Sequence, residues 1–360
     1  MRLMNLGRKL AISFLVVCVA VTVAFGEEDE TAQTPTATQQ ADETAQTPTA
    51  TQETVEKAKT PTARQETIDI EKGGVLVQKR KLIIEPGVQY SHTSRARLAI
   101  NGFTILQAIV LGKILSEDVK KDVIMPFINL RYGVTDNLQF ELKVPYLFRR
   151  DRQAYESNNE TQEYTVRDSD IGDIEAGVYY HLVQERENIP DVVINLKGKS
   201  RTGKDPYDLD TEYLGADGGT RLKELPTGSG HYGLSAGVTL AKTSDPAVLF
   251  GTLAYYYNFE RDVGNGYGDI KPGDSIEASL GMAYALNEKL STSLSYQQRW
   301  YFKTEQEGDD LADTDFNVGT MNFGVNYAIT DRVSCSVSIG IGLTNDAADT
   351  TVEIRLPIRF

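Results

Sequence analysis

Cysteine is nearly missing: the 360 residues contain two, Cys18 and Cys335. Cys18 falls in an N-terminal segment that reads as removable, so the mature chain can form no internal disulfide and has to fold without one, even in an oxidising compartment. Histidine occurs three times, as His92, His181 and His231; by alternation His181 and His231 face inward, with no serine motif beside either. Nucleophilic catalysis needs a serine or cysteine next to a base. There is no Gly-x-Ser-x-Gly elbow, no P-loop and no His-Glu-x-x-His. The expectation is therefore a protein that is not an enzyme, with no cofactor and no metal site. A basic block is also missing, and the net charge is −14, which argues against nucleic acid as a partner. After the first 26 residues no apolar run approaches the roughly 20 residues that a membrane helix needs.

What is present begins with a targeting layout. Arg2, Arg8 and Lys9 precede an apolar run from Leu10 to Phe25, and Ala24 and Gly26 are the small residues of a cut before Glu27. Residues 1–26 thus read as a secretory signal peptide, the apolar run being too short for a span. Residues 27–74 follow in Thr, Pro, Gln, Glu and Ala, with Thr34-Pro35-Thr36-Ala37 repeated at Thr47 and again at Thr60, and Gly73-Gly74 at the end. So few large apolar residues cannot offset the entropy of ordering, so this stretch reads as a disordered tail, a periplasmic tether.

From 75 to 360 the pattern has period two. Val352, Ile354, Leu356, Ile358 and Phe360 alternate with Glu353, Arg355, Pro357 and Arg359. Leu138 to Phe148, Ile276 to Leu286, Met321 to Ile329 and Val333 to Leu343 alternate in the same way. Such segments are strands with one apolar and one polar face. Several persist for 11 residues or more, longer than the 5–6 typical of soluble strands and near the 9–11 of tilted membrane strands. Aromatic residues gather near strand ends (Tyr146 and Phe148, Trp300 and Phe302, Tyr327, Phe360), as interfacial girdles do. The fold class expected is all-β, a transmembrane antiparallel β-barrel, with Leu356, Ile358 and Phe360 as a C-terminal strand signal of outer-membrane barrels.

Connections alternate between short turns, such as Thr135-Asp136-Asn137, and long polar loops at 151–164, 203–228, 261–271, 305–315 and 344–350. Strands then fall at about 80–94, 121–134, 137–150, 165–182, 190–202, 230–242, 247–260, 273–287, 290–303, 316–330, 332–343 and 350–360. That makes twelve. The apolar segment 95–115 contributes none or two if the strand number is even, so fourteen is the alternative; with none, it is an excursion at the mouth or in the lumen and a possible constriction. The acidic loops, with Glu305, Glu307, Asp309, Asp310, Asp313 and Asp315 together, match no complete calcium loop and read as solvated.

With the apolar face outward, the other face lines the lumen. The candidates are Arg131, Glu141, Lys143, Arg167, Asp173, Glu175, Lys197, Lys199, Arg201, Glu277, Arg299, Glu353 and Arg355. Hairpin register sets Glu175 opposite Lys199, Asp173 opposite Arg201, Glu277 opposite Arg299 and Arg131 opposite Glu141, all pairs of opposite charge. These charges either fill the lumen with salt bridges or line a solute path.

The stretch from Leu82 to Thr104 ("LIIEPGVQYSHTSRARLAINGFT"), Leu130 to Arg150 ("LRYGVTDNLQFELKVPYLFRR"), Gly172 to Leu182 and Gly251 to Phe259 resembles the outer-membrane transporter-like family named for the meta-pathway of phenol degradation. The resemblance implies a barrel in the bacterial outer membrane, inserted into lipid by the barrel-insertion machinery, that passes small organic solutes, aromatic or hydrophobic ones among them. It carries no substrate-binding residues over to this chain. The other reading of the residues is a structural or surface-interaction barrel with a plugged lumen.

Overall fold

A computed structural model describes residues 76–94, 118–157, 160–213, 220–244 and 246–360. The expected signal peptide 1–26, tail 27–74 and segment 95–115 lie outside the described residues. The strands are, in chain order, β1 (Leu82–Thr93), β2 (Asp118–Thr135), β3 (Leu138–Ser157), β4 (Glu160–Ile171), β5 (Glu175–Val183), β6 (Asp191–Lys199), β7 (Thr211–Tyr213), β8 (Thr220–Leu222), β9 (Gly233–Ser244) and β10 (Ala247–Asn258). They continue with β11 (Arg261–Asp262), β12 (Asp269–Lys271), β13 (Ser275–Ala285), β14 (Leu290–Tyr301), β15 (Glu305–Gln306), β16 (Asp309–Asp310), β17 (Phe316–Thr330), β18 (Val333–Gly342), β19 (Thr350–Arg355) and β20 (Ile358–Arg359).

The wall is a closed antiparallel barrel. Its order is β1, β2, β3, β5, β6, β9, β10, β13, β14, β17, β18 and β19, and β19 with its continuation β20 returns to β1. Counting β4 with β5 and β19 with β20, the wall has twelve strands, as alternation and parity predicted. Among the described residues closure leaves the ring of wall strands no open edge; only β4, which pairs with β3 alone, keeps one. The short turns are locked by their own side chains. Asn137 N–H donates to Thr135 Oγ1, Lys289 and Leu290 N–H donate to Asn287 Oδ1, and Val333 N–H donates to Thr330 Oγ1.

Alternation sorts the two faces. Ile128, Leu142, Leu196, Val238, Leu253, Leu280, Leu294, Val325 and Ile339 point outward and are exposed, Leu280 by 70%. Aromatic rings bracket this aliphatic belt at both heights. Tyr132, Phe140, Tyr180, Tyr284 and Tyr327 stand at the short-turn end, and Tyr146, Phe148, Tyr257, Phe259, Trp300 and Phe302 at the long-loop end. Phe140 and Phe148 lie eight residues apart on β3, roughly 20 Å vertically in a tilted strand, close to the apolar band of outer-membrane barrels. A closed barrel with this outer face has no soluble partner layer to bury it.

Three stretches depart from the expected boundaries. Residues 151–164, read as a loop, mostly continue as strand, with β3 and β4 paired from Tyr146↔Ile171 to Ser157↔Glu160. Polarity there marks water rather than a loop, since two polar strands can pair above the membrane. The β6 strand stops at Lys199 and β9 starts at Gly233, so residues 200–232 form one long connection. Finally, Pro86, Pro126, Pro145 and Pro357 fall on neighbouring wall strands, where each removes a ladder donor. The β2–β3 pairing accordingly lapses between Ile124↔Phe148 and Phe127↔Pro145 with the register unchanged, and the last strand breaks into β19 and β20 at Leu356-Pro357.

Candidate functional site: the barrel lumen

The inward face carries the charges. Arg131 on β2 lies opposite Glu141 on β3, Glu175 on β5 opposite Lys199 on β6, and Glu277 on β13 opposite Arg299 on β14, as the hairpins predicted. The ion pairs themselves are partly redistributed. Arg131 Nη2 lies 3.0 Å from Glu85 Oε2 on β1, and Arg355 bridges Glu85 (3.5 Å) and Glu353 (3.0 Å). Glu141 is taken instead by Lys197 at 3.7 Å. Glu277 and Arg299 stay together at 3.8 Å, with the guanidinium 3.6 Å from the Tyr256 ring centroid. Lys143 sits over the Phe127 ring and Lys197 over Tyr179, so these two inward cations also meet an aromatic face.

Two of the candidates do not line the lumen. Arg167 is exposed on β4, in register with Arg150, whose side of the strand continues the outer face. The strand was extended too evenly across the break at Gly172–Ile174. Arg201 lies beyond the end of β6, exposed, over the Tyr232 ring. It does not face Asp173; that carboxylate pairs with Lys199 at 3.6 Å. Glu85 was missed because Pro86 beside it obscures the alternation in β1; charge at every second inward position would have found it. The terminal residues of the C-terminal signal occupy the wall. Ile358 pairs with Ile84, Leu356 N–H donates to Pro86 O, and Phe360 N–H to Leu82 O at 2.9 Å.

Both ends of the lumen are narrowed. At the long-loop end residues 225–231 are all buried and fold inward onto wall side chains. Arg149 Nη1 donates to Pro226 O (2.5 Å), Asp173 accepts from Ser229 N–H and Oγ–H (both 2.8 Å), and Lys199 Nζ donates to Ser229 Oγ. Gly230 takes φ +72, and a Cβ there would stand 2.6 Å from Asp205 Oδ1. His231, expected at the top of a strand, lies in this loop. Its Nδ1–H donates to Phe259 O (3.0 Å), which leaves Nε2 to accept from the Tyr207 hydroxyl (3.3 Å). Burial, together with Arg261, Lys199 and Arg201 and against the bond to Phe259, pushes the His231 pKa down to about 4. The neutral form is thus required in the folded loop. Its contribution is complete above the unfolded pKa of about 6.5 and is lost as pH falls towards 4, with opening rising by up to about tenfold per pH unit. Limited proteolysis within 203–232 should accelerate between pH 7 and pH 4.5, and His231→Phe should flatten that dependence.

At the short-turn end the chain before β1 runs inside the wall. Leu76 packs against the inward Tyr179 and Val193, and Val77 N–H donates to Gln139 Oε1 at 2.8 Å. Gly133 on β2 permits this approach: a Cβ there would lie 2.3 Å from the carbonyl oxygens of both Val77 and Gln78. Between the two narrowings the Glu141, Lys197, Glu353 and Arg355 side chains remain 17–24% exposed. On the β2–β3 side the inner wall is apolar instead, with Val123, Met125, Phe127 and Leu147 in one cluster. Among the described residues no group of three or more His, Cys, Asp or Glu is placed to hold a metal ion.

Residues 116–360 match the protein family described as "Putative MetA-pathway of phenol degradation". The chain belongs to this family. Among solved structures, this family member is similar to the COG4313 outer membrane channel from Pseudomonas putida F1, with 15% identity, a TM-score of 0.55, and 79% of this chain and 97% of that one covered. That likeness establishes the twelve-strand barrel fold. Looser likenesses are to the Pseudomonas putida toluene transporter TodX (11% identity, TM-score 0.34, 80% of this chain and 95% of that one) and to the translocator domain of autotransporter NalP from Neisseria meningitidis (9%, 0.43, 82% and 93%).

Proposed function

We propose that this member of the phenol meta-pathway family is a bacterial outer-membrane channel that passes small organic solutes passively, without an enzymatic step. The observation that carries the reading is the division of the wall: an exposed aliphatic belt between two aromatic girdles outside, and ionised pairs beside an apolar strip inside. A purely ionic lumen would favour water and ions. The strip of Val123, Met125, Phe127 and Leu147 is itself buried (1–6% exposed), so it gives an aromatic or aliphatic solute a surface that water cannot match only once the side chains covering it move aside. The Leu76–Val77 segment and the 225–231 loop serve as constrictions; the expected constriction at 95–115 lies outside the described residues. Residues 1–26 serve as the cleaved signal for export, and lipid and the barrel-insertion machinery are the partners.

The test is liposome swelling with small aromatic and aliphatic solutes, beside planar-bilayer conductance. Gly133→Val forces residues 76–78 off the wall, and Leu76→Ser with Val77→Ser removes their apolar anchor; both are expected to raise flux severalfold over the wild type. The narrowed ends also favour the structural barrel as a second reading. Absence of solute flux in the wild type and in both variants, with the barrel folded, would leave only that one.

A further inference from the structure

The outer surface of β2, β3 and β4 above the girdle breaks a rule that the lumen obeys. Arg150 on β3 stands directly opposite Arg167 on β4, and Lys120 on β2 directly opposite Arg152 on β3. Directly opposed side chains have Cβ atoms about 5 Å apart, and like charges there are destabilising. All four are exposed, and among the described residues none lies in a salt bridge. The acids that fall on this face by register are Asp122, opposite Arg150 and also bound to His92 (2.8 Å) and Tyr90 (2.8 Å), and, further up, Asp118 on β2, Glu156 on β3 and the exposed Glu163 on β4. Elsewhere at this end of the barrel several cations are neutralised: Lys204 by Asp168 and Glu224, Arg261 by Asp205, Lys271 by Asp274 and Glu305. In a chain of net charge −14, two directly opposed pairs of like-charged side chains on one face stand out.

Their height is also specific. Arg150 and Arg152 lie two and four residues above Phe148 on the same face, roughly 7 and 13 Å along the strand. That is the depth of lipid headgroups just outside the girdle. We propose that Lys120, Arg150, Arg152 and Arg167 form a binding site for the phosphorylated glycolipid headgroup of the outer leaflet. The inference rests on the outer-membrane reading of the protein. Phosphate groups between the strands would turn both repulsive pairs into charge-assisted bridges, with the arginine forks matching phosphate oxygens two at a time. The acidic loops on the rest of the rim, such as 305–315, repel the same headgroup and restrict it to this side.

The experiment uses the purified full-length chain, delipidated in detergent, with bis-phosphorylated lipid A, dephosphorylated lipid A and phosphatidylglycerol as separate probes, and native mass spectrometry as the readout. Wild type and Arg332→Gln, a turn variant at the opposite end, are expected to bind phosphorylated lipid A. The variant K120Q/R150Q/R152Q/R167Q is expected to bind it on the order of fivefold more weakly for each cation removed. Dephosphorylated lipid A should not distinguish the variant from wild type. Undiminished binding by the quadruple variant, equal binding of dephosphorylated lipid A to wild type, or preference for phosphatidylglycerol would each overturn the proposal. Heat-modifiable migration of the variant confirms that its barrel is intact. Fractionation of cells separately tests the outer-membrane reading: a variant that reaches the outer membrane yet binds unchanged sinks only the lipid site.

Discussion

Leu280→Arg is expected to destabilise the folded barrel by about 2–4 kcal/mol, the cost of a cation near the bilayer midplane. Leu280 is the most exposed of the large outward apolar residues, it sits in the middle of β13, and it lies between Gly251 on β10 and Tyr296 on β14. No protein group covers it, so the solvent it meets decides the cost. In water the change would be nearly neutral, because an exposed arginine costs little on a soluble strand. The matched control is Ser295→Arg, half-buried on the inward face of the neighbouring strand, where the side chain reaches the polar lumen. Urea titration of both variants in phosphatidylcholine vesicles separates the two environments. If Leu280→Arg costs no more than Ser295→Arg, the apolar belt does not face lipid, and the outer-membrane reading falls with it.

The barrel was legible because period two is a strong signal and a one-residue slip would move every charge of a strand into lipid. Strands such as Ile276 to Leu286 and Val333 to Leu343 could therefore be placed to within a residue or two. Less was legible where the chain leaves the bilayer. Above Phe148 nothing penalises polarity on either face, so β3 and β4 ran on unnoticed as paired strands. The cross-strand partners were legible for the same reason as the strands, since register follows from turn position. Ion pairing was not, because long side chains choose among several neighbours: Arg131 faces Glu141 in register but reaches Glu85 on the other adjoining strand. The constrictions were least legible. Leu225 to His231 carries small and polar residues with no periodicity, and its burial depends on Arg149, Asp173 and Lys199 arriving from three distant segments. Leu76 and Val77 look like the first residues of a strand rather than an anchor inside one.

Arg299→Met is expected to be more damaging still, by about 3–5 kcal/mol, the range for breaking one half of a buried ion pair. Arg299 and Glu277 are 5% and 3% exposed, and the guanidinium holds four groups at once. Its Nη1 lies 3.8 Å from Glu277, its Nε donates to Ser275 Oγ at 3.0 Å, and the Tyr256 and Tyr301 rings flank it at 3.6 and 4.9 Å. Removing the cation leaves the Glu277 carboxylate without this counter-charge at a buried position, and it leaves two tyrosine faces without their cation. Glu277→Gln added to Arg299→Met should recover much of the loss, because the stranded charge goes and only packing and the cation–π contacts remain missing. The comparison distinguishes shape-keeping from conduction. A structural pair predicts that the double variant regains stability with conductance unchanged, whereas a pair standing in the solute path predicts regained stability with altered ion selectivity. Urea titration in vesicles gives the first quantity and reversal potential in an asymmetric salt gradient the second. A single variant that costs less than about 1 kcal/mol, the level of an exposed pair, would mean that water reaches Arg299 and that the lumen at this height is open.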